Sequence, residues 1–218
     1  MEHKRSAGKA LEDLRLYALV TESQCHHHWR SVVEELLAGG VDAIQLREKN
    51  CNDRELLRRA RIVRELTQES DALFVVNDRP DVAVLSSADG VHVGQKDLPA
   101  EEVRSLVGDG MVVGLSTHDE QQLREACEAG VDYAGVGPVH ATATRGYDKG
   151  GGTGLVNRLA AMASMPTVAI GGITPDEVGE LFEAGVQAIA VCSALCAARS
   201  PRKAAETFRT QIEKATRK

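Results

Sequence analysis

The chain has 218 residues, 43% hydrophobic and 27% charged, which suits a globular fold with a substantial core and excludes a disordered chain. Its 26 basic and 32 acidic residues leave a net charge of −6, and aromatics make up 3%, so neither a basic nucleic-acid footprint nor a set of base-stacking platforms is present. No apolar run approaches the about 20 residues that span a bilayer, which excludes a membrane partner of that kind.

In chain order, Met1 to Arg15 is polar and charged; it carries no secretory signal pattern and reads as a short helical lead-in. The first strand is expected at Leu16–Val20, and a helix over Trp29 to Ala38 follows with Val32, Val33, Leu36 and Leu37 on one stripe. His26, His27 and His28 between them read as a solvated loop cluster, since no further metal ligand is placed beside them. A strand at Ala43–Leu46 leads to a helix over Asp53 to Thr67, with Leu56, Leu57, Ala60, Val63 and Leu66 on its apolar face. Strands at Leu73–Val76, Gly90–Val93 and Val112–Leu115 come next, then a helix over Glu120 to Ala129. Strands at Tyr133–Val136 and Thr167–Ile170 precede a helix entered through Thr174 and Pro175 and running to Ala184. The eighth strand is Ala188–Cys192.

Three of the helix-to-strand joints repeat: Ala38-Gly39-Gly40-Val41-Asp42, Glu128-Ala129-Gly130-Val131-Asp132 and Glu183-Ala184-Gly185-Val186-Gln187. Ala88-Asp89-Gly90-Val91 is a looser copy. Each pairs the end of an amphipathic helix with a glycine suited to a left-handed cap and a short apolar strand. Eight such strands, two of them continuous apolar runs as in buried parallel sheets, predict an α/β fold: a single (β/α)8 TIM barrel spanning residues 1–218. A doubly wound sheet is the competing architecture, but no GxGxxG follows an early strand. Five irregularly spaced cysteines without a CxxC pair fit a reducing cytoplasm.

A barrel of this kind carries its chemistry at the C-terminal ends of the strands. Those ends hold Gln45-Leu46-Arg47-Glu48-Lys49, Asn77-Asp78-Arg79, Gly94-Gln95-Lys96-Asp97, Ser116-Thr117-His118, a loop with Thr142, Thr144 and Arg145, Gly171-Gly172 and Cys192-Ser193. Asp78 and Asp97 close adjacent strands and together suit Mg2+, which takes one or two carboxylates plus phosphate oxygens. Read singly, Asp78 is a helix N-cap and Asp97 a turn residue. Arg47 and Lys49 alternate onto one side of an extended segment, as cations for a diphosphate, while Glu48 points elsewhere and can orient a neighbour by a salt bridge. Gln45 shares their side and suits a polar ring. Gly171-Gly172 and Cys192-Ser193 make a backbone cradle for a monophosphate. Gly150-Gly151-Gly152 reads as part of a lid segment, because no GK[ST] follows.

In order along the barrel, Gln45-Leu46-Arg47-Glu48-Lys49, Asn77-Asp78-Arg79, Ala88 to Pro99, Gly114-Leu115-Ser116-Thr117-His118, Gly137-Pro138 and Ala169-Ile170-Gly171-Gly172-Ile173 resemble the thiamine phosphate synthase family. The resemblance implies a cytoplasmic transferase joining 4-amino-2-methyl-5-hydroxymethylpyrimidine diphosphate to 4-methyl-5-(2-phosphoethyl)thiazole, with release of diphosphate. It implies that Gln45, Arg47, Lys49 and Asn77 contact the pyrimidine diphosphate, that Asp78 and Asp97 hold Mg2+, and that Ser116 faces the pyrimidine. Thr142, Thr144, Gly172, Cys192 and Ser193 would line the thiazole phosphate site, with Arg145 on the diphosphate. Arg47, Lys49, Ser116 and Arg145 would act in catalysis, a dissociative step in which the diphosphate departs before the thiazole nitrogen attacks. A homodimer is compatible with it; a nucleic-acid partner is not expected. Two departures stand out: Ala141-Thr142-Ala143-Thr144-Arg145 replaces the family's Pro-Thr-x-Thr-Lys, and Thr21-Glu22 its Thr-Asp. The alternatives are a thiazole tautomerase-like isomerase using His118, and a non-catalytic barrel that binds thiamine precursors.

Overall fold

A computed structural model describes residues 7–141 and 150–217. Thr142, Thr144 and Arg145 lie outside the described residues. Eight strands, β1 (Leu16–Val20), β2 (Ala43–Leu46), β3 (Leu73–Asn77), β4 (Gly90–Val93), β5 (Val112–Thr117), β6 (Tyr133–Val136), β7 (Thr167–Ile170) and β8 (Ala188–Val191), close in sequence order into a parallel barrel, with β8 paired back on β1. The predicted eight strands are these, with β3 and β5 extended by one and two residues and β8 one residue shorter. The helices are α1 (Ala7–Glu12), α2 (Trp29–Ala38), α3 (Asp53–Glu69), α4 (Pro80–Leu85), α5 (Ala100–Val107), α6 (Glu120–Glu128), α7 (Gly152–Met162), α8 (Val178–Glu183), α9 (Ser193–Cys196) and α10 (Pro201–Thr216). The helix expected from Pro175 begins instead with a 3-10 turn over Pro175–Glu177, and Glu177 reaches back to the Thr174 amide and hydroxyl at 2.8 and 2.9 Å.

The strands are apolar on both faces because both faces are covered. Leu16, Ala18 and Val20 point outward into the layer that includes Val32, Val33 and Leu36, whereas Tyr17 and Leu19 point inward with Val75, Val112, Tyr133 and Val168. Leu11 and Leu14 of the lead-in close the bottom of the interior. The whole barrel therefore has an inner and an outer core, the arrangement expected of strands without a solvent face.

The repeated joints do two jobs. Gly40, Gly130 and Gly185 take φ values of +84°, +66° and +90°, the left-handed conformation that turns a helix end into a strand; in the looser copy Ser87 does so at +54°. The aspartate that follows is a clamp. Asp42 accepts the Leu16 amide at 2.8 Å, Asp89 the Phe74 amide at 2.9 Å and Asp132 the Val113 amide at 2.7 Å, each the first or second residue of the preceding strand. Arg209, Arg64 and Arg104 respectively pair with these three carboxylates. In the fourth joint Gln187 stands in this place and donates to the Leu11 carbonyl at 2.6 Å. Charge at the bottom of the barrel is thus spent on register, and the opposite mouth is left to other polar residues.

Candidate active site at the barrel mouth

The exit of β2 sets the first arc. Gln45 points inward and is buried; its amide donates to the Tyr17 hydroxyl at 2.8 Å. Its Oε1 has no partner among the described residues. Arg47, two residues on, is 6% exposed, and its carbonyl accepts the Thr21 hydroxyl at 2.7 Å. Arg47 lines two cavities at once. One, of about 510 Å³, lies between the exits of β1 and β2 and includes Thr21, Glu48, Lys49 and Asn50. The other is lined by His118, Pro138, Gly171, Gly172, Cys192 and Ser193. Glu48 lines the first of these cavities with the two cations, but its carboxylate is tied down there as a salt-bridge partner: it accepts the Glu22 amide at 2.7 Å and Arg59 at 3.3 Å, and burial raises its pKa.

The exits of β3 and β4 form the metal-type arc. Lys49 Nζ is 3.4 Å from Asp78 Oδ2. Burial, and then the facing Asp97 carboxyl in hydrogen-bonding contact, push the Asp78 pKa up against the pull of Lys49. Asp78 holds φ at +62°, an uncommon conformation for a non-glycine residue and one that recurs at functional sites. It is not the helix N-cap, a position that falls to Arg79. Asp97 does serve in a turn, accepting the Gly94 amide at 2.8 Å, while still facing Asp78. Two carboxylates held together, one of them half-buried, are a donor set that a divalent cation relieves of repulsion. Among the described residues no cluster of three or more ligands surrounds them, so remaining positions would fall to phosphate oxygens and water. That composition fits Mg2+. Asn77, buried beside them at the end of β3, has an Oδ1 with no partner among the described residues.

The third arc lies across the barrel from β3 and β4. Gly171 (φ +112°) and Gly172 (φ +66°) follow β7; a Cβ on Gly171 would lie 2.5 Å from Pro138 and one on Gly172 3.1 Å from His140. Cys192 and Ser193 open the short α9 beside them. Backbone amides can therefore approach a ligand closely, as a phosphate cradle requires. At the far end of the loop read as a lid, the Gly151 and Gly152 amides donate to the Pro138 and Val139 carbonyls at 2.9 Å each, at the exit of β6.

Beneath the mouth runs a polar chain that composition and spacing did not single out. Ser116 Oγ is 2.9 Å from His92 Nε2, His92 Nδ1 is 2.9 Å from the Tyr133 hydroxyl, Tyr133 is 3.2 Å from Tyr17, and Tyr17 meets Gln45. It links Ser116 on β5 to Gln45 on β2 through the barrel interior. Its signal in the sequence was a histidine at an inward position of an otherwise apolar strand, and two of the chain's three tyrosines at inward positions of strands. Gly114 makes room for it, since a Cβ there would sit 2.1 Å from the Tyr133 ring. The structure thus brings Gln45, Arg47, Lys49, Asn77, Asp78, Asp97, Ser116, Gly172, Cys192 and Ser193 to one end of the barrel.

Comparison with known proteins points to one family. The family model described as thiamine monophosphate synthase matches residues 16–195. A thiamine-phosphate synthase of Halalkalibacterium halodurans is 39% identical over 207 residues, covering 93% of this chain and 97% of the relative. One from Synechococcus sp. strain WH7803 is 43% identical over 197 residues; the match covers 89% of this chain but 56% of that longer relative. The solved thiamine phosphate pyrophosphorylase of Pyrococcus furiosus is 36% identical, with a TM-score of 0.87 over 94% of this chain and 98% of the other. A 3-hexulose-6-phosphate synthase structure, 17% identical at a TM-score of 0.67, shares the fold.

Proposed function

The chain belongs to the thiamine monophosphate synthase family, and from that premise we propose that its barrel mouth condenses 4-amino-2-methyl-5-hydroxymethylpyrimidine diphosphate with 4-methyl-5-(2-phosphoethyl)thiazole. The products are thiamine monophosphate and diphosphate. The observation that carries this reading is Arg47, a buried cation in the wall common to both cavities. It stands between a metal-type arc suited to a diphosphate and a glycine-rich arc suited to a monophosphate.

The pyrimidine ring would lie over the polar floor, where the Gln45 amide oxygen and the Ser116 hydroxyl offer hydrogen bonds. Asn77, Arg47 and Lys49 would bind the diphosphate, with Arg145 added from the loop after β6. Asp78 and Asp97 would hold Mg2+, which supplies charge neutralisation on the diphosphate oxygens. The methylene–oxygen bond breaks and its electron pair leaves with the diphosphate, a charge that Arg47 and Lys49 stabilise where it develops. The thiazole, anchored by its phosphate at Gly171, Gly172 and Ser193, with Thr142 and Thr144 assigned to the same site by the family resemblance, then attacks the methylene carbon through its ring nitrogen. Positioning and electrostatics do the work, so no nucleophilic side chain is required. A reducing cytoplasm suits five cysteines that form no disulfide.

The test is diphosphate release with both substrates, with Mg2+ and with EDTA. Release that requires both substrates and Mg2+ is the expected result. Isomerisation of the thiazole phosphate without diphosphate release would instead assign the chain to a tautomerase centred on His118, which lines the same cavity.

A further inference from the structure

Arg59 lies in the middle of α3, at the back of the cavity that Arg47 and Lys49 line, and its side chain is only 11% exposed. Its guanidinium meets three carboxylates on three separate segments. Nε is 2.8 Å from Glu55 on its own helix, Nη2 is 2.8 Å from Glu22 after β1, and Nη1 is 3.3 Å from Glu48 after β2. The same group lies 5.3 Å from the Trp29 ring centroid. Glu48 also accepts the Glu22 amide at 2.7 Å, and the Thr21 hydroxyl donates to the Arg47 carbonyl at 2.7 Å. The exits of β1 and β2 are therefore one hydrogen-bonded unit with Arg59 at its centre.

Resting on the function proposed above, we propose that Arg59 is a positioning residue for the diphosphate half of the site, acting through Glu48 on Arg47 and Lys49. Glu48 lies between the two cations in the chain and lines the same cavity, but its carboxylate is held by Arg59 and the Glu22 amide rather than by either of them. Fixing Glu48 on the helix side leaves Arg47 and Lys49 facing the mouth. A free Glu48 would be one residue from two cations and could pair with either, withdrawing charge from the ligand. The planar five-donor fork of arginine is what allows one side chain to hold three carboxylates; a lysine ammonium lacks that geometry. Glu22 belongs to this unit through its bond to Arg59.

The experiment compares Arg59→Lys and Glu48→Gln with the unaltered protein. It measures diphosphate release while each substrate is varied, calorimetric binding of inorganic diphosphate in Mg2+, and the thermal midpoint. Misplacement of binding groups by about 1 Å can cost up to roughly a hundredfold, so a tenfold-scale effect is expected for Arg59→Lys. The KM for the pyrimidine diphosphate should rise and the affinity for inorganic diphosphate should fall by about tenfold, with the KM for the thiazole phosphate unchanged. Glu48→Gln keeps the shape and the Arg59 side chain, and should show the same asymmetry at smaller size. Should Arg59→Lys fail to fold, Glu48→Gln decides the matter alone. Equal changes in both KM values, or unaltered diphosphate affinity in folded Glu48→Gln, would overturn the inference. An unaltered protein that releases no diphosphate overturns the parent function and this inference with it, an outcome distinct from both.

Discussion

Replacing Tyr133 by phenylalanine isolates the polar floor from the packing around it. The ring would keep its place against Gly114, where a Cβ would lie 2.1 Å from it, and only the hydroxyl is lost. That hydroxyl serves His92 Nδ1 at 2.9 Å and Tyr17 at 3.2 Å. At a net 0.5–1.5 kcal/mol for each hydrogen bond, Tyr133→Phe should cost about 1–3 kcal/mol. A chain of this size loses roughly 2–4 °C of Tm for each kcal/mol, so the melting temperature should fall by several degrees. Gly114→Ala attacks the same place sterically, driving a methyl into the buried ring. Overpacking adds typically 1–3 kcal/mol and also displaces the hydroxyl, so this variant should be the less stable of the two, at about 2–6 kcal/mol. Urea and thermal unfolding of both variants measure the difference. The substrate readout is the KM for the pyrimidine diphosphate, which should rise in both because Ser116 and Gln45 lose their shared support. If Gly114→Ala were as stable as the parent, or Tyr133→Phe cost more than Gly114→Ala, the account of this floor would be wrong.

Three further outcomes follow from the site. Asp97→Ala removes one of the facing carboxylates and the brace on Gly94, and should lower Mg2+-dependent diphosphate release by about two to three orders of magnitude while thiazole phosphate binding measured by calorimetry persists. Full activity of the parent in EDTA would contradict the metal assignment. Gly171→Ala places a methyl at φ +112° and 2.5 Å from Pro138; strain of about 1–3 kcal/mol should raise the KM for the thiazole phosphate roughly tenfold or more, and leave that of the pyrimidine diphosphate near its parent value. Arg58 and then Arg59 hold the Glu55 pKa at about 2, below its ordinary 4.5. A lowered carboxylate contributes its full stabilisation above its unfolded value and loses it progressively between the unfolded and folded values, so the Glu55 share should begin to shrink as pH falls below 4.5 and be gone by about pH 2. Carbon-detected NMR titration of the Glu55 carboxyl checks this; a midpoint near 4.5 would contradict the network.

The barrel was legible in the sequence because its signals are local. A left-handed glycine, a four-residue apolar run and a polar strand end recur in register, and each is decided by neighbours within a few residues. The mouth residues were legible for the same reason, since Gln45 and Arg47 alternate onto the inner side where β2 ends, and the polar run that follows marks a strand exit. What escaped was long-range. His92, Tyr17 and Tyr133 meet only after the sheet has closed on itself, with sequence separations of 41 and 116 residues. Arg59 read as one of several charges on a helix, and only folding brings Glu22, 37 residues away, into its reach. The Gly150 to Gly152 run carried no local sign of its partners, the Pro138 and Val139 carbonyls that its backbone approaches closely in the fold.

The aspartate clamps also give the barrel a grain. Asp42, Asp89 and Asp132 each precede an even-numbered strand and bind the odd-numbered one before it, so they bracket β1 with β2, β3 with β4, and β5 with β6. Gln187 breaks the pattern before β8. The ring is therefore a set of two-strand cassettes rather than eight equal staves. A chimaera spliced between cassettes, as between β4 and α5, carries every strand-binding carboxylate with the strand it holds. A splice inside one, as between β3 and β4, parts Asp89 from Phe74. Domain shuffling within this fold has natural joints, and they lie at every second strand.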